Sequence, residues 1–392
     1  MDKFASIDKP VDALVSQHLG VSFPAAQIVV RQRGEVIYAK AFGDLDPDQT
    51  HQTSNTQPYE STNLQTRFDL ASVSKLFTVT AFMTLVQEGR VGVDQPVCEV
   101  LHAFSGLRPI APQQDPLGSG QLVAIVPTDS TPVDASRITF RHLLTHTSGL
   151  PAWLPIWWMA HPARLKLVQP YLREFVLRSS FAYPTGTRIV YSDVGLILLG
   201  FAIEQLTSQS LDAVIRERVT QPLGLTSVGY GPIEQNVAPT EYYAHQGKHM
   251  CGEVHDENAW ALQGVAGHAG LFATAHDVAA FGQSFLLAAS SPHILTPTMI
   301  AEMTKTQATD ADTRRGLGFA LWSPDPEASS NPLSPTSFGH TGFTGTSLWI
   351  DPERALVIVA LTNRVYYGRD QGAGIVPFRV ALHREIATIG LS

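Results

Sequence analysis

Residues 68–78 read FDLASVSKLFT. Ser72 and Lys75 stand three residues apart where an apolar run begins. On a helix, positions i and i+3 share a face. Composition alone delivers Ser-x-x-Lys about once in a chain of this size, so spacing by itself means little. Ser6 and Lys9 repeat it in a polar segment that Pro10 interrupts. The setting of Ser72 and Lys75 is different. Leu76, Val79, Phe82, Met83 and Val86 recur at three- and four-residue steps, and Gly89 stands where a stop belongs. That pattern predicts a helix from about Ser72 to Glu88. Its first turn, with unpaired N–H groups and the helix dipole, favours developing negative charge. A serine nucleophile needs such a place and a base. Lys75 serves as that base if burial beside Leu70, Leu76 and Phe77 lowers its pKa. Ser72 as a plain N-cap is the alternative that spacing leaves open.

Outward from this segment, AAQIVVRQRGEVIYAKAFG predicts a hairpin from Gln27 to Phe42 around Gly34. Residues 45–63 and 109–136 read as long surface loops. The middle of the chain is mostly helical: FRHLLTH, Tyr171 to Arg178, VGLILLGFAIEQLT and LDAVIRERV. Near the end, GLGFALW, GTSLWID and ALVIVALTN have strand lengths, and a last helix covers about Gly374 to Thr388. The expected fold is α/β (α+β): one central antiparallel sheet built from both chain ends, flanked by helices, with a mostly helical region inserted. Residues 1–70 and 270–392 would form the sheet part of a single catalytic unit, and 71–269 the helical part.

The chain has 392 residues, 44% of them hydrophobic and 16% charged, enough for a sizeable core. Net charge is −8, and no Lys/Arg run suited to phosphates occurs, which argues against a nucleic-acid partner. Cys98 and Cys251 fit no metal or disulfide framework and are expected as free thiols. No apolar run reaches a membrane-spanning length. The N-terminus shows no apolar signal region, so a cytoplasmic location is expected, with native export left open. No G-x-S-x-G elbow and no phosphate loop appears.

Two further stretches give the Ser-Lys pair partners. GTRIVYSDVGLILLG places Tyr191 and Asp193 before an apolar helix, and FGHTGFTGTSLWID places His340, Thr341 and Gly342 at the head of an expected strand. Ser-x-x-Lys followed by two such elements is a three-part signature of β-lactamases and penicillin-binding proteins. The Tyr and His forms seen here resemble class C β-lactamases, D,D-peptidases, D-aminopeptidases and family VIII carboxylesterases. ITFRHLLTHTSGL resembles a recurrent segment of that superfamily, and the resemblance runs from about Ala25 to Asn363. YSDVGLILLG, GEVHDENAWALQGVAGHAGLF and HTGFTGT together resemble one penicillin-binding-protein-like branch, some of whose members act on cell-wall peptides.

The resemblance implies a β-lactamase/transpeptidase-like fold and an acyl-enzyme mechanism without metal or cofactor. Ser72 would be the nucleophile, Lys75 and Tyr191 would share the proton traffic, and the N–H groups of Ser72 and Phe343 would bind the oxyanion. His340, with Thr341 and Gly342, would line the substrate strand. Asp193 stands where Asn is usual, and an ionised carboxylate there would raise the Lys75 pKa. His340 in place of Lys removes a fixed positive charge, which should weaken carboxylate recognition and bring pH dependence near neutrality.

Other features carry plainer readings. Trp153, Trp157 and Trp158 could wall a pocket, but core packing or a subunit contact is favoured. His255 and His268 are expected in supporting or structural roles. His142 and His146, like His245 and His249, have the i, i+4 spacing of a zinc pair but lack H-E-x-x-H. The expected function is hydrolysis of a small-molecule ester through an acyl-Ser72 intermediate, with D-peptide, muropeptide amide or weak β-lactam hydrolysis as the alternative. A non-catalytic peptide or penicillin binder is the other class. Oligomeric state, acyl group and leaving group stay open.

Overall fold

The computed structural model describes residues 7–45, 47, 61–114, 122–123, 131–160, 165–243, 247–286 and 294–389. Most of the expected 45–63 loop, part of the 109–136 loop, Ser6 and His245 lie outside these residues. The first hairpin is β1 (Ala25–Gln32) and β2 (Glu35–Gly43). Its two-residue turn puts both Arg33 and Gly34 at positive φ, a twist that suits an antiparallel pair. Six strands from the C-terminal part complete the sheet: β3 (Ala308–Asp310), β4 (Thr313–Arg315), β5 (Ala320–Leu321), β6 (Phe338–Thr341), β7 (Ser347–Asp351) and β8 (Leu356–Thr362). The order is β3-β4-β5-β6-β7-β8-β1-β2, antiparallel at every pairing. The expected central antiparallel sheet, drawn from both ends of the chain, is present.

Both faces of the sheet are covered, which is why β8 reads as an unbroken apolar run. Val357, Val359 and Leu361 enter one core, while Leu356, Ile358 and Ala360 enter another. The second core is closed by α1 (Asp8–His18) through Val11 and Val15, together with the last helix. The first core holds α2 (Ser74–Gln87), α3 (Asp193–Thr207) and α4 (Ala275–Ser284). The last helix is α5 (Ile375–Ile389), which supplies Phe378, Leu382 and Ile386 to the second core. A Cβ at Gly282 would come within 2.8 Å of Leu348 and Val357, so α4 rests directly on the sheet there.

Helix α2 is more central than its periodicity suggested. Every residue from Ser74 to Leu85 is buried, so it is wrapped on all sides, as a core helix is. Val194 to Ile203 of α3 are buried in the same way, which accounts for the most apolar stretch of the chain. No single helix among the described residues is long and apolar enough to cross a membrane. The middle of the chain also holds short extended pieces that were not expected. Phe68–Asp69 pairs with Leu271–Ala273, which pairs with Gly229–Tyr230. The helix expected around Tyr171 starts earlier, at Leu165, and ends at Leu177. Cys98 and Cys251 form no disulfide.

Phe77 of α2 and Phe281 of α4 stack at 4.0 Å between ring centroids, tying the helix that follows Ser72 to the one resting on the sheet. Both rings are fully buried. Phe281→Ala should lower the unfolding free energy by about 3–5 kcal/mol in a urea titration. A loss below about 1 kcal/mol would mean that α2 does not depend on this contact.

Candidate active site

Asp69 shapes the turn that presents Ser72. One carboxylate oxygen accepts the Ala71 N–H at 2.8 Å and the other accepts the His255 N–H at 2.7 Å. This holds Ala71 at φ 45°, a left-handed conformation unusual for a residue with a Cβ. A 3₁₀ turn, Ala71–Val73, then leads into α2. The turn after β6 is tied to the same backbone. Thr344 Oγ1 donates to Asp69 O at 2.7 Å, and Thr346 Oγ1 donates to Leu70 O at 2.9 Å. A Cβ at Gly342 would come within 2.6 Å of Leu70 O and also collide with Thr346 Oγ1, so only glycine allows the approach. His340 and Thr341 therefore end a strand, and Gly342 opens the turn to β7. The sequence reading had put all three at the head of a strand. It missed the tight closure in which Gly342 N donates to Thr346 O and Gly345 N to Gly342 O.

Lys75 is buried and donates to Ser72 Oγ at 2.8 Å and to the His268 carbonyl at 2.9 Å. Its ammonium also forms a 2.8 Å ion pair with Asp193, the first residue of α3. Burial pulls the lysine pKa down, but Asp193, with Tyr191, outweighs it, and the pKa stands above the ordinary value. The lowering expected from burial is thus corrected, because the Asp193 charge decides the sign of the shift. Tyr191 precedes the α3 cap, and its ring centroid lies 5.0 Å from Lys75 Nζ. Burial pushes the phenol up, and Lys75 only partly offsets this. At rest the site holds an ammonium, a carboxylate and a neutral phenol around the Ser72 hydroxyl.

His340 packs 5.8 Å from the Tyr191 ring, and its Nδ1 bonds to Thr341 O at 2.8 Å. Burial first, then the nearby Lys75 and Arg315, drive its pKa down to about 3. His340 is thus neutral near pH 7, and the expected titration near neutrality is corrected. Its Nε2 is buried without a partner. His146, whose Nδ1 accepts the Ser192 N–H at 3.1 Å, flanks the other side of Tyr191, with ring centroids 4.7 Å apart.

Ser72, Tyr191, Asp193, His340, Thr341, Gly342 and Phe343 line one cavity of about 1070 Å³. Arg315, at the end of β4, lines it too, and its guanidinium carbon lies 5.6 Å from the Tyr191 ring centroid. Among the described residues Arg315 has no carboxylate partner, and its Nε is buried and unpaired. The positive charge lost with His340 is therefore present, two strands away. Trp153 and Trp157 line the cavity, and Trp158 is 62% exposed outside it; this corrects the core-packing half of the favoured reading and is compatible with its other half, a subunit contact.

The histidines expected in support are close by. His255 pairs with Glu241 at 2.9 Å, and its ring stacks on Phe343. His268 Nε2 pairs with Asp256 at 2.8 Å. Burial raises the Asp256 pKa, but His268 overrides this and holds it well below the usual carboxylate range. Asp193, Asp256 and His268 offer ligand atoms within 4.8 Å of one another, a grouping that could hold a metal ion. Here Asp193 pairs with the Lys75 ammonium, and Asp256 pairs with the ring of His268, whose carbonyl accepts from Lys75. His142 and His146 do not form a pair, because the helix ends at Leu144 and His146 turns to φ 58°. Sequence reasoning missed Asp69, Arg315, Thr344 and Thr346. Asp69 lay inside the opening stretch, and Arg315 beside the GLGFALW strand.

The Beta-lactamase family model matches residues 11–376. An Escherichia coli (strain K12) protein named "Putative D-alanyl-D-alanine carboxypeptidase" is 29% identical over 90% of this chain and 81% of its own. An N-acetylmuramyl-L-alanine amidase of Bacillus subtilis (strain 168) is 29% identical over 91% of this chain and 80% of its own. Among solved structures, EstCE1, a hydrolase with promiscuous acyltransferase activity, superposes with a TM-score of 0.71 at 23% identity, covering 97% of this chain and 99% of that one.

The raised Lys75 pKa sets a pH dependence. A lysine base must be unprotonated, so labelling of Ser72 by a fluorophosphonate should climb with pH above neutrality. Asp193→Asn removes the charge that keeps Lys75 protonated; burial then prevails, and the limb should move at least about one unit to lower pH. A limb that stays in place would show that the ion pair does not govern Lys75.

Proposed function

From the chain's membership of the Beta-lactamase family, and so its nature as a serine hydrolase, we propose that it cleaves an amide in a peptide or muropeptide bearing a free carboxylate. The observation that carries this reading is Arg315, a cation in the cavity that holds Ser72 and without a carboxylate partner among the described residues. An uncompensated guanidinium in a half-buried wall is costly unless a ligand anion meets it. The two curated relatives, named for a carboxypeptidase and an amidase, support a substrate of this class.

The chemistry proceeds as follows. Ser72 Oγ attacks the carbonyl, and its proton passes to the unprotonated amine of Lys75, 2.8 Å away. Asp193 holds the resulting ammonium. The N–H groups of Ser72 and Phe343 receive the oxyanion. Tyr191 protonates the leaving amine and takes a proton back from Lys75. The net proton has moved from Ser72 to the amine. Water then attacks the acyl-serine along the same path in reverse.

Ester hydrolysis is the second reading, favoured by the indole wall of Trp153 and Trp157, which suits an apolar acyl or aryl group. Arg315→Gln separates the two. With a D-alanyl peptide bearing a free carboxylate, KM should rise about 10- to 100-fold, the range of a hydrogen bond to a charged group, with p-nitrophenyl acetate turnover little changed. Ser72→Ala should abolish both activities and fluorophosphonate labelling. Turnover of neutral esters alone, unaffected by Arg315→Gln, would assign the enzyme to ester hydrolysis.

A further inference from the structure

The cavity does not end at Ser72. It passes the end of β6 to the other face of the sheet, where Trp349 of β7, Ser329 and Arg379 of α5 line it. Trp349 belongs to the core between the sheet and the terminal helices, opposite the one that holds α2. A Cβ on Gly339 would come within 2.7 Å of the Trp349 ring, so the indole lies flat over a strand stripped of its side chain.

Arg379 is buried, and among the described residues no carboxylate meets it. One guanidinium nitrogen donates to Gly342 O at 3.0 Å and Thr346 O at 2.8 Å, while Nε has no partner. Burial, with Arg364 nearby, holds its pKa down to about 9, so it still carries its charge near neutral pH. Two more polar atoms here are buried and unpaired: Trp349 Nε1, and Nε2 of His383, whose ring lies 6.4 Å from the indole. His383 Nδ1 bonds to Ser329 O at 2.6 Å, and burial leaves the ring neutral, with a pKa of about 4.

The acidic residues lining the cavity do not neutralise this cation. Asp193 is paired with Lys75, Asp256 with His268 and Glu257 with Arg369. Asp312, Asp325, Glu327 and Asp370 are exposed at the rim. Arg315 and Arg379, each without an acidic partner among the described residues, thus stand in two compartments of one cavity, which meet at Gly342; Arg364 also lines it, but its guanidinium donates to the carbonyls of Phe343 and Arg369. At about 1070 Å³, the space is at the upper end for a drug-sized ligand.

We propose that this cavity takes a peptide with two carboxylates, one received by Arg315 beside Ser72 and the second by Arg379 beside Trp349. The inference rests on the reading of Arg315 given above and adds the second anion subsite. Arg379 also holds the turn that carries Phe343, so filling the subsite couples ligand charge to the oxyanion side of the reaction centre.

Two tripeptides of equal size test it, acetyl-L-Ala-D-Glu-D-Ala and acetyl-L-Ala-D-Gln-D-Ala. With the Ser72→Ala protein, calorimetry should show the diacid binding at least tenfold more tightly. Arg379→Lys in that background should cut the preference below threefold. Trp349→Phe in the otherwise native enzyme should raise KM for the diacid by a larger factor than KM for the monoacid. Equal affinities, with both peptides bound and cleaved, would overturn the second subsite and leave the Arg315 reading standing. Binding of neither would overturn both. A preference that survives Arg379→Lys and Trp349→Phe would also remove the second subsite as assigned here.

Discussion

The buried ammonium of Lys75 is the constraint around which the site is arranged. A lone charge in this position would be neutralised or would destabilise the fold. Three groups prevent that: the Ser72 hydroxyl, the Asp193 carboxylate and the His268 carbonyl, all within 2.9 Å. Each comes from a different part of the chain, so the ammonium acts as a cross-link among the α2 turn, the start of α3 and the loop before Leu271. Asp256 reaches the same assembly through His268. Positioning the nucleophile and satisfying a buried charge are here one requirement.

The sheet contributes by holding the β6–β7 turn against the nucleophile turn. Thr344 and Thr346 donate to consecutive backbone carbonyls, those of Asp69 and Leu70, and Asp69 in turn fixes Ala71. These bonds are short, buried and mutually dependent, which makes a polar network costly to satisfy in part. Arg379 completes it from the far side of the sheet through the carbonyls of Gly342 and Thr346. The left-handed backbone at Ala71 is therefore over-determined by its surroundings, as local strain at a reactive group must be.

Much of this was legible from one sequence. The apolar run of β8, the hairpin at Gly34 and the helix after Ser72 follow from periodicity and turn chemistry, which are local. The strands Ala308–Asp310, Thr313–Arg315 and Phe338–Thr341 escaped notice because short, polar or mixed segments join a sheet through backbone bonds and show no alternation. Of the site, Ser72, Lys75, Tyr191 and His340 carried motif spacing; the structure brings Ser72, Tyr191 and His340 to one cavity, with Lys75 bonded to Ser72 behind it. Asp69 and Arg315 carried none. Their importance comes from what lies across space, His255 and Thr344 for the first and Tyr191 for the second. Protonation states were least legible of all. Whether Lys75 is lowered by burial or raised by Asp193 depends on a 2.8 Å distance that no spacing rule supplies.

The exchange of Lys for His at position 340 shows why such electrostatics must be read in three dimensions. Taken along the sequence, it removes a cation and argues against an anionic substrate. In the fold, the imidazole is neutral and buried against Tyr191, so it contributes shape and one acceptor nitrogen. The charge appears instead on Arg315 of β4, with β5 between its strand and β6. A guanidinium there differs from an amine at 340 in kind as well as place. It offers a planar fork suited to a carboxylate and cannot lose its proton near neutral pH. It also keeps the cation apart from Lys75, whose own charge at closer range would make a second ammonium expensive. Moving the anion receptor two strands over thus lets the proton-handling group and the recognition group coexist at one cavity.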